Sequence, residues 1–435
     1  MTSTPAWPAP RATAPVHATV TLPGSKSHTA RALVLAAIAD GPSTIRHPLR
    51  ARDTLLMADA LRALGVGVVD QPDGSWAVTP TPLHAATIDV GLAGTVMRFL
   101  PPVAAFAHGD VTFDGDPYAR ERPLGVLVDG LRQAGVAVDS AGGGSLPITV
   151  HGTGAAEGGR LAIDASASSQ FVSGLLLSGA RFAKGVEIVH VGVDAVPSAT
   201  HIAMTVQALA DAGVTVDTSR PGVWSVAPGP VHAVDVDVEP DLSNAAPFLV
   251  AALLTGGEVR VTGWPARTHQ PGDRLRTLLK EMGGLTEAGD DGSFAVHGTG
   301  AIRGIDADLR DVGELTPVLA AALALADSPS VLRGIGHLRG HETDRLAALA
   351  HGITAMGGDV TETADGLAIN PRPLHGATWA AHADHRMAQA GAVLGLAVDG
   401  VEVDDIACTT KTMSDFPERW AALVGTPSAD TEGGA

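Results

Sequence analysis

The sequence predicts an α/β protein of two similar domains, and three observations carry that reading. First, five stretches share one pattern: a helix ending in Leu/Ala and Gly, a short Val-rich strand, a Gly-containing turn and a second strand. They are 61–78 (LRALGVGVVDQPDGSWAV), 131–150 (LRQAGVAVDSAGGGSLPITV), 208–226 (ALADAGVTVDTSRPGVWSV), 278–296 (LLKEMGGLTEAGDDGSFAV) and 352–369 (GITAMGGDVTETADGLAI). Alternating apolar residues on both sides of a glycine turn mark a β-hairpin, and the corners recur roughly every 70–80 residues, long for a solenoid but clear as an internal period. Second, each unit carries an earlier apolar helix that opens on a polar first turn. Third, 237–241 (DVEPD) divides six such units three and three. A length of 435 residues suits two or three domains, and a ligand cleft between two such domains is the expected site.

In chain order, 17–22 reads as a strand before the first helix. The earlier helix of each unit is predicted to start at Ser25, Gly94, Ser168, Leu242, Gly313 and Asp384, and the later one near Asp53, Glu121, Ser198, Pro271, Glu342 and Asp415. Pro123 suits the first position of the helix expected near Glu121. The opening 1–16, rich in Pro, Ala and Thr, reads as a loose tail without the apolar core of a signal peptide, and 426–435 reads likewise.

Composition narrows the function classes. Hydrophobic residues make up 45% and charged residues 17%, enough apolar material for packed cores. A net charge of −18 argues against nucleic acid or an anionic membrane surface as partner. No apolar run reaches the ~18 residues of a membrane span. One cysteine, Cys408, excludes an internal disulfide or a multi-thiolate zinc site and fits a reducing cytoplasm. Among sharper motifs, GSKS is not a phosphate-binding Walker loop. HETDR has Arg345 where a zinc helix needs its second histidine, and HADH (382–385) is weak alone, so no metal is expected.

The informative feature is where the scarce cations fall. GSKSHTAR (24–31) opens a helix with Lys26 and Arg31, although a helix N-terminus carries about half a positive charge and a cation there costs roughly 0.3–1 kcal/mol. The placement recurs: Gly94, Thr95 and Arg98 in AGTVMR, Ser168, Ser169 and Gln170 in SASSQ, Arg120 and Arg122 in YARERP, Glu342, Asp344 and Arg345 in GHETDR, Asp384, His385 and Arg386 in ADHRM, and Lys411 in CTTKTMSD. A single first-turn arginine is ordinarily solvated, and a Ser or Asp there is ordinarily a cap. Recurrence sets these sites apart. Five or more such cations together would cost a few kcal/mol, which a bound polyanion would reverse. Glycines, hydroxyls and arginine forks are what phosphate and carboxylate groups require. Glu314 (DVGELTP) and Glu342 are the acid–base candidates in this set; as plain residues they would be a cap and a capping-box acid.

Taken together, LPGSKSHTAR, AGTVMRF, RERPL, SASSQF, GHETDRL, ADHRMA and TTKTMSDF are similar to the 5-enolpyruvylshikimate-3-phosphate synthase family in its actinobacterial form, in order from about Val20 to Phe416. The resemblance implies a two-domain inside-out α/β barrel of six βαβαββ repeats, three per domain. The domains would comprise 1–22 plus 240–435, and 23–239, with the active site in the cleft between them. It also implies transfer of the enolpyruvyl (1-carboxyvinyl) group from phosphoenolpyruvate to the 5-hydroxyl of shikimate 3-phosphate by addition and elimination, without metal or other cofactor. By the same resemblance Lys26, Gly94, Arg122, Arg345, Arg386 and Lys411 would bind phosphoenolpyruvate. Lys26, Ser27, Arg31, Ser168, Ser169, Gln170, Ser198, Glu314 and His341 would bind shikimate 3-phosphate, with Arg98 in support. Glu314 would be the base for the hydroxyl and Glu342 the proton relay at the methylene carbon, with Lys26 as a further proton donor or charge stabiliser. A cytoplasmic monomer is expected, with glyphosate as an inhibitor because Gly94 is retained.

The sequence departs from the family pattern at Leu92 (often Asn), Phe99 (often Pro), His201 (often Tyr), His337 (often Asn) and His341 (often Lys). If a protonated His341 serves the substrate phosphate, affinity for shikimate 3-phosphate falls above about pH 7. Two alternatives remain at this point: a related transferase acting on UDP-N-acetylglucosamine, whose usual loop cysteine has no counterpart in DGDPYARERP, and a noncatalytic repeat protein that binds an anion.

Overall fold

The computed structural model describes residues 5–425. The chain divides into two compact units, one spanning Gly24–Glu239 and the other made of the segment through Pro23 together with the chain from Pro240 onward. Each unit contains three small sheets. Five of the six sheets have four strands in a single arrangement: a parallel pair, then a hairpin whose second strand lies antiparallel to the inner member of that pair. All five predicted hairpins are present, for example Gly67–Asp70 with Trp76–Thr79, and Asp359–Glu362 with Leu367–Asn370.

Chain crossings complete three of the sheets. Val236–Asp237 lies parallel to Ser43–Arg46 with Val236 beside Ile45, and His17–Val20 lies parallel to Glu258–Val261 with Val20 beside Val261. The sixth sheet has Thr378–Trp379 parallel to Glu402–Val403, and Trp7–Pro8 antiparallel to the latter. This corrects the loose-tail reading of 1–16. After Glu402–Val403 the chain turns into a 3-10 turn and the helix Phe416–Val424 rather than a hairpin, which leaves a strand edge that the N-terminal segment pairs. Ala9 N donates to Val401 O at 2.9 Å and Ala12 N to Leu396 O at 3.1 Å, while Trp7 packs against that unit's core. Residues 1–4, and the tail predicted for 426–435, lie outside the described residues.

The earlier helices form the centre of each unit. In one unit they are Lys26–Ile38, Gly94–Ala104 and Ser169–Leu177; in the other, Ala246–Thr255, Thr316–Leu323 and His385–Ala397. Within each unit the three pack against one another and are buried on nearly all sides. Helices apolar all round belong in a core, so the sheets lie outside them. The starts fall where caps dictate: Ser25, Ser168 and Asp384 each accept an amide of their own first turn. Leu242 and Gly313 open 3-10 turns, Leu242–Ala245 and Gly313–Leu315, before Pro247 and Pro317 enter the helices proper.

Two predicted starts are corrected. In place of a helix from Glu121 there is a short helix, Pro117–Glu121, then Gly125–Gln133. Pro123 disfavours helical backbone at the residue before it, so Arg122 is extended (φ −78°, ψ 132°) and separates the two. The helix expected near Glu342 is Arg345–Ala355, capped by Asp344 accepting from Ala347 N at 3.0 Å. Glu342 therefore precedes the helix instead of capping it. Among the described residues no helix is long and apolar enough to cross a membrane.

Candidate active site

Among the described residues, the buried arginines are Arg31, Arg98, Arg122, Arg345 and Arg386, and Lys411 is buried with them. Every one stands in a stretch that the sequence singled out. The solvated-side-chain reading is therefore wrong at these positions: Arg345 and Arg386 stand at helix starts, Arg31 and Arg98 one turn into their helices, and Arg122 and Lys411 at the ends of a short helix and a turn.

In the Gly24–Glu239 unit, Lys26 opens the first core helix with Nζ 3.7 Å from Oδ2 of buried Asp53, while a fifth of the lysine side chain remains exposed. Ser27 is half-buried beside it. Arg31 is committed to the fold. Its Nε donates to Thr205 Oγ1 at 2.8 Å, Nη1 to Ser27 O at 2.8 Å and Nη2 to His201 O at 2.7 Å, and its guanidinium lies 5.4 Å from the Phe99 ring centre. Burial pushes it down to about 9, still cationic at neutral pH. Phe99, one of the departures, thus supplies a ring face to a buried cation.

Gly94 begins the helix Gly94–Ala104 between two guanidinium groups. A Cβ at this position would stand 3.0 Å from Arg122 Nη2 and 3.1 Å from Arg98 Nη1. The missing side chain is what lets both arginines stand close over that helix start. Arg122 is anchored by Nη1 donating to Leu92 O at 3.1 Å, so the residue at that departure contributes its backbone. Arg98 Nη1 donates to Gln170 Oε1 at 2.8 Å, and Ser168 Oγ accepts from Gln170 N at 3.2 Å. Gly94, Arg98, Arg122, Ser168 and Gln170 therefore form one connected group, with Ser169 buried next in the chain. Ser198 stands at the N-cap position of Ala199–Asp211 in left-handed backbone (φ 53°), a conformation costly for a non-glycine residue and found repeatedly at functional sites. Arg120 does not join them: it pairs with Asp114 at 2.7 Å on the surface.

In the other unit a second group assembles around Glu342. Its Oε2 accepts from Arg345 Nη2 at 3.1 Å, and Oε1 accepts from Lys411 Nζ. Arg345 is gripped from below by Asp384, with Nε to Oδ2 at 2.7 Å and Nη2 to Oδ1 at 3.1 Å. Burial alone would lower Arg345, but Asp384, Glu342 and Glu314 together raise it above the ordinary arginine value. Arg386 is lowered: its burial outweighs the attraction of Asp241, Glu314 and Asp384. Its Nη1 donates to Ser243 O at 3.0 Å and to Asn244 Oδ1 and Gln389 Oε1 at 3.3 Å each. Glu314, in the turn Gly313–Leu315, accepts from Ser243 Oγ at 3.5 Å and lies within the field of Arg345, Arg386 and His337.

Two of the departures meet here. The rings of His337 and His341 lie edge to face with centres 5.7 Å apart, and His341 Nδ1 is 3.3 Å from Arg345 Nη1 and 4.0 Å from Glu342 Oε2. The guanidinium can only donate, so Nδ1 is the acceptor and the neutral ring carries its proton on Nε2. His337 Nε2 is sealed from solvent without a partner among the described residues. Burial is the main reason its value falls to about 4; Arg345 pushes the same way and Glu314 opposes.

His337 is therefore neutral in the folded chain at neutral pH, and takes a proton near pH 6.5 once unfolded. Stability linked to it is fully present above pH 6.5 and is lost as pH falls toward 4. The midpoint of urea unfolding is expected to fall across this window less steeply in His337→Asn than in the parent chain. Identical pH slopes would show that His337 takes up its proton alike in the folded and the unfolded chain.

Sequence reasoning missed Asp53, Asn244 and Gln389, and gave Asp384 no partner. The signal for Asn244 was in view: EPDLSN occupies the same phase at its core helix as the stretches that were singled out.

The family model for EPSP synthase (3-phosphoshikimate 1-carboxyvinyltransferase) matches residues 10–420. A solved EPSP synthase from Acinetobacter baumannii is 25% identical, with 96% of this chain and 97% of that one covered and a TM-score of 0.77. A second structure of an EPSP synthase from that organism is 24% identical over the same shares, with a TM-score of 0.76. The enolpyruvyl transferase NikO from Streptomyces tendae, 18% identical over 95% and 96% of the two chains with a TM-score of 0.74, shares the fold. These matches and the paired cation groups lead to one assignment: the chain belongs to the EPSP synthase family, the transferases that move the enolpyruvyl group of phosphoenolpyruvate onto shikimate 3-phosphate in aromatic biosynthesis.

Proposed function

We propose that Lys26, Gly94, Arg122, Arg345, Arg386 and Lys411 hold phosphoenolpyruvate in this reaction. Ser27, Ser168, Ser169, Gln170, Ser198, Glu314 and His341, with Lys26, hold shikimate 3-phosphate, and Arg31 shapes the wall behind Ser27. The observation that carries this reading is the set of buried cations collected around Gly94 and around Glu342 in a chain of net charge −18. Buried positive charge on that scale is costly unless it meets negative charge. Two substrates bearing phosphate and carboxylate groups supply it.

The chemistry needs a base, an acid and an anion clamp. Glu314 takes the proton of the 5-hydroxyl as its oxygen bonds to C2 of phosphoenolpyruvate, and a proton delivered through Glu342 converts the C3 methylene to a methyl. In the second step that C3 proton returns to Glu342, the C2–O bond to phosphate breaks and phosphate departs against the cations. Lys411 and Arg345 fix both carboxylate oxygens of Glu342, which aims the relay. His341 meets the shikimate phosphate through its Nε2 proton. The neutral ring keeps that proton as pH rises, so this contact does not carry the fall in affinity above about pH 7 expected of a protonated His341. A cytoplasmic monomer open to inhibition by glyphosate is part of the same reading.

The test is phosphate release from phosphoenolpyruvate with shikimate 3-phosphate or with UDP-N-acetylglucosamine as acceptor. Release with shikimate 3-phosphate alone is expected. Release with the sugar nucleotide alone would assign the related reaction, and release with neither would make the chain an anion-binding protein.

A further inference from the structure

We propose that Asn244 is a positioning residue that turns Arg386 toward phosphoenolpyruvate while leaving its charge unspent; this rests on the reading of Arg386 as a group that binds that substrate. Asn244 is fully buried in the turn that precedes the core helix Ala246–Thr255. Its one amide oxygen faces three donors: Arg386 Nη1 at 3.3 Å, Gln389 Nε2 at 3.1 Å and Thr412 Oγ1 at 3.3 Å. Arg386 and Gln389 lie on the helix His385–Ala397, and Thr412 follows Lys411 at the end of the turn Ile406–Lys411. A single oxygen therefore ties together the two segments that carry Arg386 and Lys411.

The arrangement is one-sided. All three acceptors of Arg386, the Ser243 carbonyl and the Asn244 and Gln389 amide oxygens, are on Nη1. Among the described residues Nε and Nη2 donate to nothing, so the opposite edge of the fork remains for an anion. The three acceptors are also uncharged. A carboxylate in their place would orient the guanidinium equally well, but it would neutralise the charge that the substrate is to meet. Arg345, by contrast, is already paired with Asp384 and Glu342. Asn244 itself bears a cost, since its Nδ2 is buried without a partner among the described residues. An apolar side chain would avoid that cost, so the oxygen accounts for the asparagine.

Steady-state phosphate release on the full chain tests this with Asn244→Asp, Arg386→Ala and the double variant. Asn244→Asp is expected to raise the Michaelis constant for phosphoenolpyruvate about tenfold or more, because a carboxylate within ~4 Å of Arg386 competes with the substrate. The constant for shikimate 3-phosphate and the melting temperature are expected to stay put. In the Arg386→Ala background the same substitution is expected to change neither constant. If Asn244→Asp is too unstable to assay, Gln389→Glu places the same charge on the other side-chain acceptor of Nη1 and is read identically. An unchanged phosphoenolpyruvate constant in Asn244→Asp, with a raised one in Arg386→Ala, overturns the positioning role and keeps the reading of Arg386. An unchanged constant in Arg386→Ala overturns both. An equal rise for both substrates, or a rise that persists without Arg386, makes Asn244 general structural support.

Discussion

Glu342→Gln is expected to lower phosphate release by about 10²–10⁴-fold at saturating substrates, the contribution of a positioned proton-transfer group. Glutamine has nearly the shape of glutamate, so the turn before Arg345–Ala355 keeps its path, and the Asp344 cap is untouched. What changes is the proton inventory. The carboxylate accepts from Lys411 at one oxygen and from Arg345 at the other, whereas an amide offers one oxygen and one NH₂ and can neither take nor return the C3 proton. Exchange of the methylene hydrogens of phosphoenolpyruvate with solvent deuterium, in the presence of shikimate 3-phosphate, should be lost in parallel with turnover. Loss of turnover with exchange intact would move the relay to another group, with Lys26 next in line. A variant within about threefold of the parent would end the acid–base role, since orientation alone does not depend on a transferable proton.

The fold was legible in the sequence to a great extent because the repeat is local. Each hairpin is specified by its own alternating apolar residues and glycine corner, and all five form. The departures came from contacts remote in sequence. Nothing in residues 5–16 shows that Trp7–Pro8 will pair with Glu402–Val403, since the vacancy it fills exists only because the last unit ends in a helix. The start predicted at Glu121 failed for a local reason, the restriction that Pro123 imposes on Arg122. For the candidate site, the positive residues were readable because a cation at a helix start opposes the local field and demands an explanation. Their uncharged and acidic supports were not. Asn244, Gln389 and Asp53 sit where capping or core polar residues are ordinary, and only three-dimensional proximity reveals that they hold Arg386 and Lys26.

Asp384 shows how much stability rests on such a support. Asp384→Asn is expected to destabilise its unit by about 3–5 kcal/mol, the usual penalty for removing one partner of a buried ion pair. Arg345 and Asp384 are both buried, and the carboxylate takes two guanidinium donors while also accepting Arg386 N at 2.9 Å. Asparagine keeps the cap through its oxygen but turns an NH₂ group toward Arg345 Nε, which leaves Glu342, an acid shared with Lys411, as the carboxylate that accepts from the guanidinium. The control is Asp344→Asn, one residue before Arg345. Asp344 also caps a helix and also pairs with an arginine, Arg339 at 3.1 Å, but both side chains are more than a third exposed or close to it, so solvent screens the pair and the loss should stay near the cost of a weakened cap, about 1 kcal/mol. Urea unfolding of the two variants isolates burial as the variable. Equal losses would mean that Arg345 does not depend on Asp384 to compensate its charge, and the negative charge that keeps this guanidinium out of water would then have to come from Glu342 or from a bound anion.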